Sequence, residues 1–247
     1  MSRAKLRRYL RLAHRLSKLA ETIAETVQER LSRESRQLSI RDRVLIGLAL
    51  KMYHSFHCIL HDAKNERLEA CHHLKTLLES YVYLQWVGAD TTDTRATLVW
   101  ARSVDEQRKH FKLSPRNAEM ADVRIWEQAL RDSTKGLESA WDHFQNTRLF
   151  ALAKDANLSP WYVDIYRLAC QPAHIADLLQ FVPQPGEPIS LKKPPTSLLW
   201  ATVALDYALQ TFCNLLLDAA KEYGLDDLGA RLSKIKSQID ETRSSTL

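Results

Sequence analysis

The apolar residues Leu6, Tyr9, Ala13, Leu16, Ala20, Ile23 and Val27 recur in a heptad-like stripe backed by Arg and Lys. That period predicts one long amphipathic helix from Ser2 to about Glu34. Ser39 and Asp42, three residues apart, read as a capping box that opens a second helix. Val44, Leu48, Met52, Ser55 and Ile59 carry it to about His61, with a turn at Asp62 to Asn65. In ERLEACHHLKTLLESYVYLQWV the positions Leu68, Cys71, Leu74, Leu78, Val82 and Trp86 are apolar, so this helix is expected to be the most buried, with Gly88 and Asp90 as its stop.

A fourth helix is predicted from Thr91–Asp93 through Trp100 to about Phe111. Ser114-Pro115 and Ser159-Pro160 each supply an N-cap and a first-turn Pro for a new helix. Between those two starts, 115 to about 154 reads as helical, with a break near Gly136. The string PQPGEPISLKKPP is an exposed loop, because five Pro in thirteen residues fix the backbone and remove donors. Leu198 to Tyr223 is a core helix, and after Gly224 a polar helix frays near Ser244. The expectation is an all-α multi-helix bundle of about six to eight helices. Its parts are a basic amphipathic N-terminal helix (1–37), a bundle core (38–224) and a polar C-terminal helix and tail (225–247).

Composition narrows this picture. With 6 Gly and 8 Pro in 247 residues, most of them outside the periodic segments, little interrupts the helices. A hydrophobic fraction of 45% excludes global disorder. Cys58, Cys71, Cys170 and Cys213 form no CxxC pair, so they read as reduced, buried thiols rather than a zinc ribbon or disulfide framework. No apolar run reaches the ~20 residues of a membrane span. The N-terminus lacks the apolar segment of a signal peptide, so a cytoplasmic location and no membrane partner are expected. Residues 1–43 hold twelve Lys or Arg against five Asp or Glu, net +7 in a chain of net +5, so the basic character belongs to the N-terminal helix. Its cations Arg3, Lys5, Arg7, Arg8, Arg11, Arg15 and Lys18 suit phosphates of RNA or an acidic partner, and its stripe suits self-association. The six tryptophans, at 86, 100, 126, 141, 161 and 200, fall on apolar faces and are expected in the core.

The string YRLACQPAH carries the candidate chemistry. Arg167 and His174 are seven apart, hence on nearly one helical face, and Pro172 between them would kink the axis and draw the two together. A guanidinium beside an imidazole suits phosphate chemistry. No GxSxG, HExxH or glycine-rich phosphate loop competes with it.

With its Arg and His separated by six residues, this string resembles the HEPN superfamily (higher eukaryotes and prokaryotes nucleotide-binding domain), all-helical proteins with Arg/His ribonuclease sites. The resemblance implies a metal-independent endoribonuclease without cofactor, a toxin or effector of a prokaryotic defence system, usually with its site at a homodimer interface. Carried over, His174 is the acid/base and Arg167 the group that stabilises charge on the phosphorane. A second resemblance, over roughly residues 60–220, is to a widespread family of helical bacterial proteins of unknown function. Its hallmarks are a basic residue four before a Glu, here Lys75 and Glu79, and YRLA followed by His. It implies that Lys75 and Glu79 face Arg167 and His174, with Tyr166 and Gln171 completing a supporting polar network.

Two alternatives stand beside the nuclease. Leu168 occupies a position where active HEPN sites commonly carry a polar residue. It speaks for a non-catalytic interaction module that binds a partner protein or nucleic acid, and a regulatory partner protein is compatible with either reading. His54, His57 and His61 share one face of the second helix, and Glu69 precedes His72 by three, the ExxH unit of metal-binding helical bundles. With only one such unit in the chain, no metal ligands are assigned.

Overall fold

A computed structural model describes residues 2–33, 37–113, 120–158, 162, 165–166, 169 and 197–245. Among the described residues the fold is all-α, with nine helices and no strand: α1 (Arg3–Arg33), α2 (Ile40–Lys64), α3 (Ala70–Gly88), α4 (Thr94–Leu113), α5 (Met120–Thr134), α6 (Glu138–Asn146), α7 (Leu149–Asp155), α8 (Leu198–Glu222) and α9 (Asp226–Ser244). None of these helices is long and apolar enough to cross a membrane.

The expected helix start at Ser39 is built as the sequence implies, while Ser114-Pro115, Ser159-Pro160 and the PQPGEPISLKKPP string lie outside the described residues. Ser39 and Asp42 form a reciprocal capping box: the Asp42 amide donates to Ser39 Oγ at 3.1 Å and the Ser39 amide to Asp42 Oδ2 at 3.1 Å. Asp90 accepts from the amides of Thr92 and Arg95, both at 2.9 Å, at the entry to α4. Ser197 Oγ caps α8 through the Trp200 amide. Gly224, at φ +59°, makes the turn into α9, a conformation in which a Cβ is strained. The stretch expected as one helical region over 115–154 contains α5, α6 and α7. Gly136, at φ +79°, makes the first break, and extended backbone at Thr147 and Arg148 makes the second.

The chain divides into two compact units that each draw on separate stretches of sequence. One unit comprises Met1–Arg36, Ala49–Tyr81 and Pro160–Leu247, and the other Gln37–Leu48 and Val82–Ser159. In the first unit, α8 is apolar over most of its surface and buries Ala201, Leu205, Leu209, Phe212 and Leu216. A helix with that pattern must be enclosed by others. It packs on α1 and α9, which also pack on each other. The N-terminal helix is therefore part of a core, with Leu6, Tyr9, Leu12, Leu16 and Ile23 all buried. Phe56 of α2 stacks on Phe212 at 4.5 Å between ring centres. Lys5 Nζ donates to the Arg243 carbonyl at 2.8 Å, and Arg30 donates to the Tyr223 carbonyl, so α1 runs antiparallel to α9.

The second unit is centred on aromatic and cationic stacking. Trp86 lies parallel to Phe144 at 5.3 Å, Arg95 sits over Trp86 at 4.9 Å and Arg102 over Phe144 at 5.5 Å. Asp155 holds one end of this stack, accepting from Trp86 Nε1 at 2.7 Å and pairing with Arg95 at 2.9 Å.

Two core expectations need correction. Trp86 and Trp141 are buried and Trp200 is partly so, but Trp100 is 46% exposed, while Ala96, Leu98, Ala101 and Val104 of the same helix are buried. The side chains of Trp126 and Trp161 lie outside the described residues. Cys71 and Cys213 are buried free thiols, and burial pushes the Cys213 thiol up to about 11. Cys58, however, is exposed, since Met52, Phe56 and Ile59 turn the other face of α2 inward. Cys170 lies outside the described residues.

The Phe56–Phe212 stack gives a direct test of the first unit. Phe212→Ala is expected to destabilise it by about 3–5 kcal/mol, the range for deleting a fully buried ring, seen as an earlier urea midpoint for Trp200 fluorescence. An unchanged midpoint would mean that α2 and α8 do not share a core.

Candidate functional site

Tyr162, Ile165, Tyr166 and Ala169 are helical, and Tyr162, Ile165 and Ala169 are buried at a spacing that puts one face of this turn inward. Tyr166 lies beside that face with its ring stacked on Tyr162 at 4.5 Å, and its hydroxyl donates to Glu79 Oε1 at 2.9 Å. On α3, Lys75 Nζ is 3.9 Å from the same Glu79 oxygen, and both side chains are about one-third exposed. Lys75, Glu79 and Tyr166 thus form one half-buried polar group within the first unit, supported below by Leu74, Leu77 and Leu78 of α3. A carboxylate held between a phenol and an ammonium is fixed in place and can in turn position a neighbouring cation or donor. Arg167, Gln171 and His174 lie outside the described residues.

The cations expected to meet nucleic acid sort into two sets. Arg3 Nε pairs with Glu66 at 2.7 Å, and Lys5 Nζ donates to the carbonyls of Arg243 and Ser245, so both tie α1 to the rest of the first unit. Arg7, Arg8, Arg11 and Lys18 are exposed, as is Arg15, which donates to Gln238 at 2.7 Å.

A cluster at the corner between α2 and α3 is one that pattern reading passes over. Asp62 is buried, and its two oxygens meet His61 Nδ1 at 3.1 Å, His73 Nε2 at 3.4 Å and Arg67 Nη1 at 3.7 Å. Glu66 at this corner has φ +54°, its side chain held by Arg3 and its carbonyl accepting from the Ser197 amide at 2.7 Å. The only sequence signal was an Asp followed by turn-forming residues, which reads as solvent-exposed. The structure makes it a buried acceptor that anchors the corner.

The histidines of α2 have separate surroundings. His54 and His61 are exposed, while His57 is half-buried with Nε2 sealed from water and unpartnered, its ring 4.4 Å from that of Tyr53. Among the described residues no group of three or more His, Cys, Asp or Glu side chains is arranged to hold a metal ion. Burial lowers the His57 pKa, with the Glu21 carboxylate raising it and His54 and His14 lowering it further.

Both the Glu79 link and the burial of His57 can be measured. Tyr166→Phe is expected to lower stability by about 1 kcal/mol, the net value of one such hydrogen bond, and equal urea midpoints for variant and wild type would refute the Glu79 link. Because the folded pKa of His57 lies below the unfolded one, the unfolded chain takes up the proton first. Its contribution is therefore present above ~6.5 and lost as pH falls from there through the folded pKa. His57→Leu should show a smaller fall in urea midpoint between neutral and mildly acidic buffer than wild type, and an identical fall would exclude His57 as a source.

Neither a curated protein nor a solved structure matches the chain. The profile of a family of unknown function (DUF5677) matches residues 42–182, a stretch that contains Lys75, Glu79, Tyr166 and the whole YRLACQPAH string and leaves out α1, α8 and α9. That match spans more than half of the sequence, and the chain belongs to this family of unknown function.

Proposed function

We infer that this protein is an HEPN-like, metal-independent endoribonuclease whose reacting groups are Arg167 and His174. The observation that carries the reading is the 2.9 Å hydrogen bond from Tyr166 to Glu79, which seats the residue before Arg167 on the polar part of α3. In this reading His174 takes the proton from the ribose 2′-hydroxyl as its oxygen attacks phosphorus, and Arg167 stabilises the added negative charge of the phosphorane. The bond to the 5′-oxygen breaks as His174 gives that oxygen the proton it has taken up, and a 2′,3′-cyclic phosphate remains. Glu79, fixed by Tyr166 and Lys75, is a positioning residue that orients the Arg167 guanidinium. Two copies of the site meet across a homodimer cleft, in a cytoplasmic toxin or defence effector held in check by a partner protein.

A non-catalytic interaction module is the second reading. It is favoured by Leu168 and by the exposed apolar side chains Trp100, Ile125 and Phe150 of the second unit.

Incubation of the purified protein with total RNA decides between them. Cleavage is expected to persist in chelator, to leave cyclic-phosphate ends, and to fall by about 10²–10⁴ in His174→Ala and Arg167→Ala, the usual contribution of acid/base and electrostatic groups. Cleavage undiminished in His174→Ala would overturn the assignment.

A further inference from the structure

The N-terminal helix has a face that neither the core nor the candidate site uses. At ~100° per residue, Arg7, Arg8, Arg11, Arg15 and Lys18 fall within an arc of about 100° along the first half of α1, and all five are exposed. Arg7, Arg11 and Arg15 succeed one another at four-residue steps, a rise of ~6 Å each. On the opposite side Leu6, Tyr9, Leu12 and Leu16 are buried, with α1 packed on α8 and α9. We propose that this stripe is a track for the phosphate backbone of single-stranded RNA. The inference rests on the proposed reading in one respect, that the polyanion is RNA.

Three features favour that occupant. Four of the five cations are Arg, whose planar fork pairs with phosphate oxygens bidentately. They lie in a row of regular pitch, which suits a chain of repeating charges better than the scattered carboxylates of a folded partner. The apolar side of α1 is committed to the core, so the helix cannot lay it into a lipid surface. The track also has a defined end: Glu25 and Glu29 occupy the same angular positions about two and three turns beyond Lys18 and are exposed. Arg3 and Lys5 stand outside this arc and are tied to Glu66 and to the α9 terminus, and Arg15, inside it, also donates to Gln238 of α9 at 2.7 Å while staying exposed.

The test measures binding of a labelled 20-nucleotide oligouridylate by anisotropy across a salt series, with cleavage of the same RNA monitored in parallel. At about 0.7 of a logarithmic unit per neutralised phosphate, Arg7→Ala/Arg11→Ala/Lys18→Ala should weaken binding roughly a hundredfold at ~0.1 M salt and reduce the salt slope by about 2. The matched triple Lys51→Ala/Lys64→Ala/Lys154→Ala, which removes equal charge from exposed positions elsewhere, should leave binding within about twofold. Glu25→Lys extends the row and should tighten binding. Equal loss in both triple variants, or equal competition by polyglutamate or by anionic phosphatidylserine vesicles, overturns the track. Cleavage and binding that survive in the stripe variant sink this inference and leave the nuclease reading standing. Stripe-dependent binding without cleavage does the reverse, and absence of both binding and cleavage in wild type removes both.

Discussion

The helix with the most buried residues, α8, carries one narrow polar stripe (Gln210, Asn214, Asp218) and is apolar over the rest of its surface, which water cannot cover without cost. Its burial requires neighbours on several sides, and the first unit is the arrangement that supplies them: α1 and α9 pack on it, Phe56 of α2 stacks on its Phe212, and the Cys71 thiol of α3 lies 3.8 Å from the Trp200 carbonyl. Glu79 follows the buried Leu74, Leu77 and Leu78 on α3, so its carboxylate is presented to Tyr166 from a helix anchored by its apolar face.

Carboxylates in this protein tie separate stretches of the chain together. Asp62 gathers His61, Arg67 and His73 at the α2–α3 corner, Asp155 holds Trp86 and Arg95 in the second unit, and Asp206 accepts from Arg243 at 3.0 Å beneath α1. In each case a carboxylate meets a partly exposed cation or donor, and for Asp62 and Asp206, both buried, the arrangement is costly to break because the remaining charge would be left without a partner. Tyr9, wholly buried near Asp206, shows the same environment from the other side: burial and that carboxylate push its phenol well above the ordinary range.

Much of the helical order was legible because the relevant signals are local. The α1 stripe, the Ser39/Asp42 box, the Gly88 stop and the Gly224 turn each depend on residues within one or two turns of one another. The second break in the 115–154 stretch was not legible, since Thr147 and Arg148 adopt extended backbone with neither Gly nor Pro to announce it. Trp100 misleads because side-chain size suggests burial, whereas α4 packs through small residues that let helices approach closely. In the site, the Lys75–Glu79 pair is a local helical spacing and could be read. The Tyr166–Glu79 bond joins residues 87 apart, so periodicity could not supply it; only the family likeness placed the two segments together. Asp62 was missed for a related reason: what makes it an interior acceptor is the convergence of His73 and Arg67, which is a property of the folded corner.

The contact between Lys5 and the Arg243 carbonyl spans 238 residues of sequence. On the ribosome, α1 therefore emerges with an apolar stripe whose α8 and α9 neighbours are not yet made, and that part of its surface waits for them. Loop-closure entropy makes such end-to-end pairing late and slow. The same stripe that later anchors the first unit is thus a temporary liability, one that chaperones or a second nascent chain would find before the protein's own C-terminal helices do.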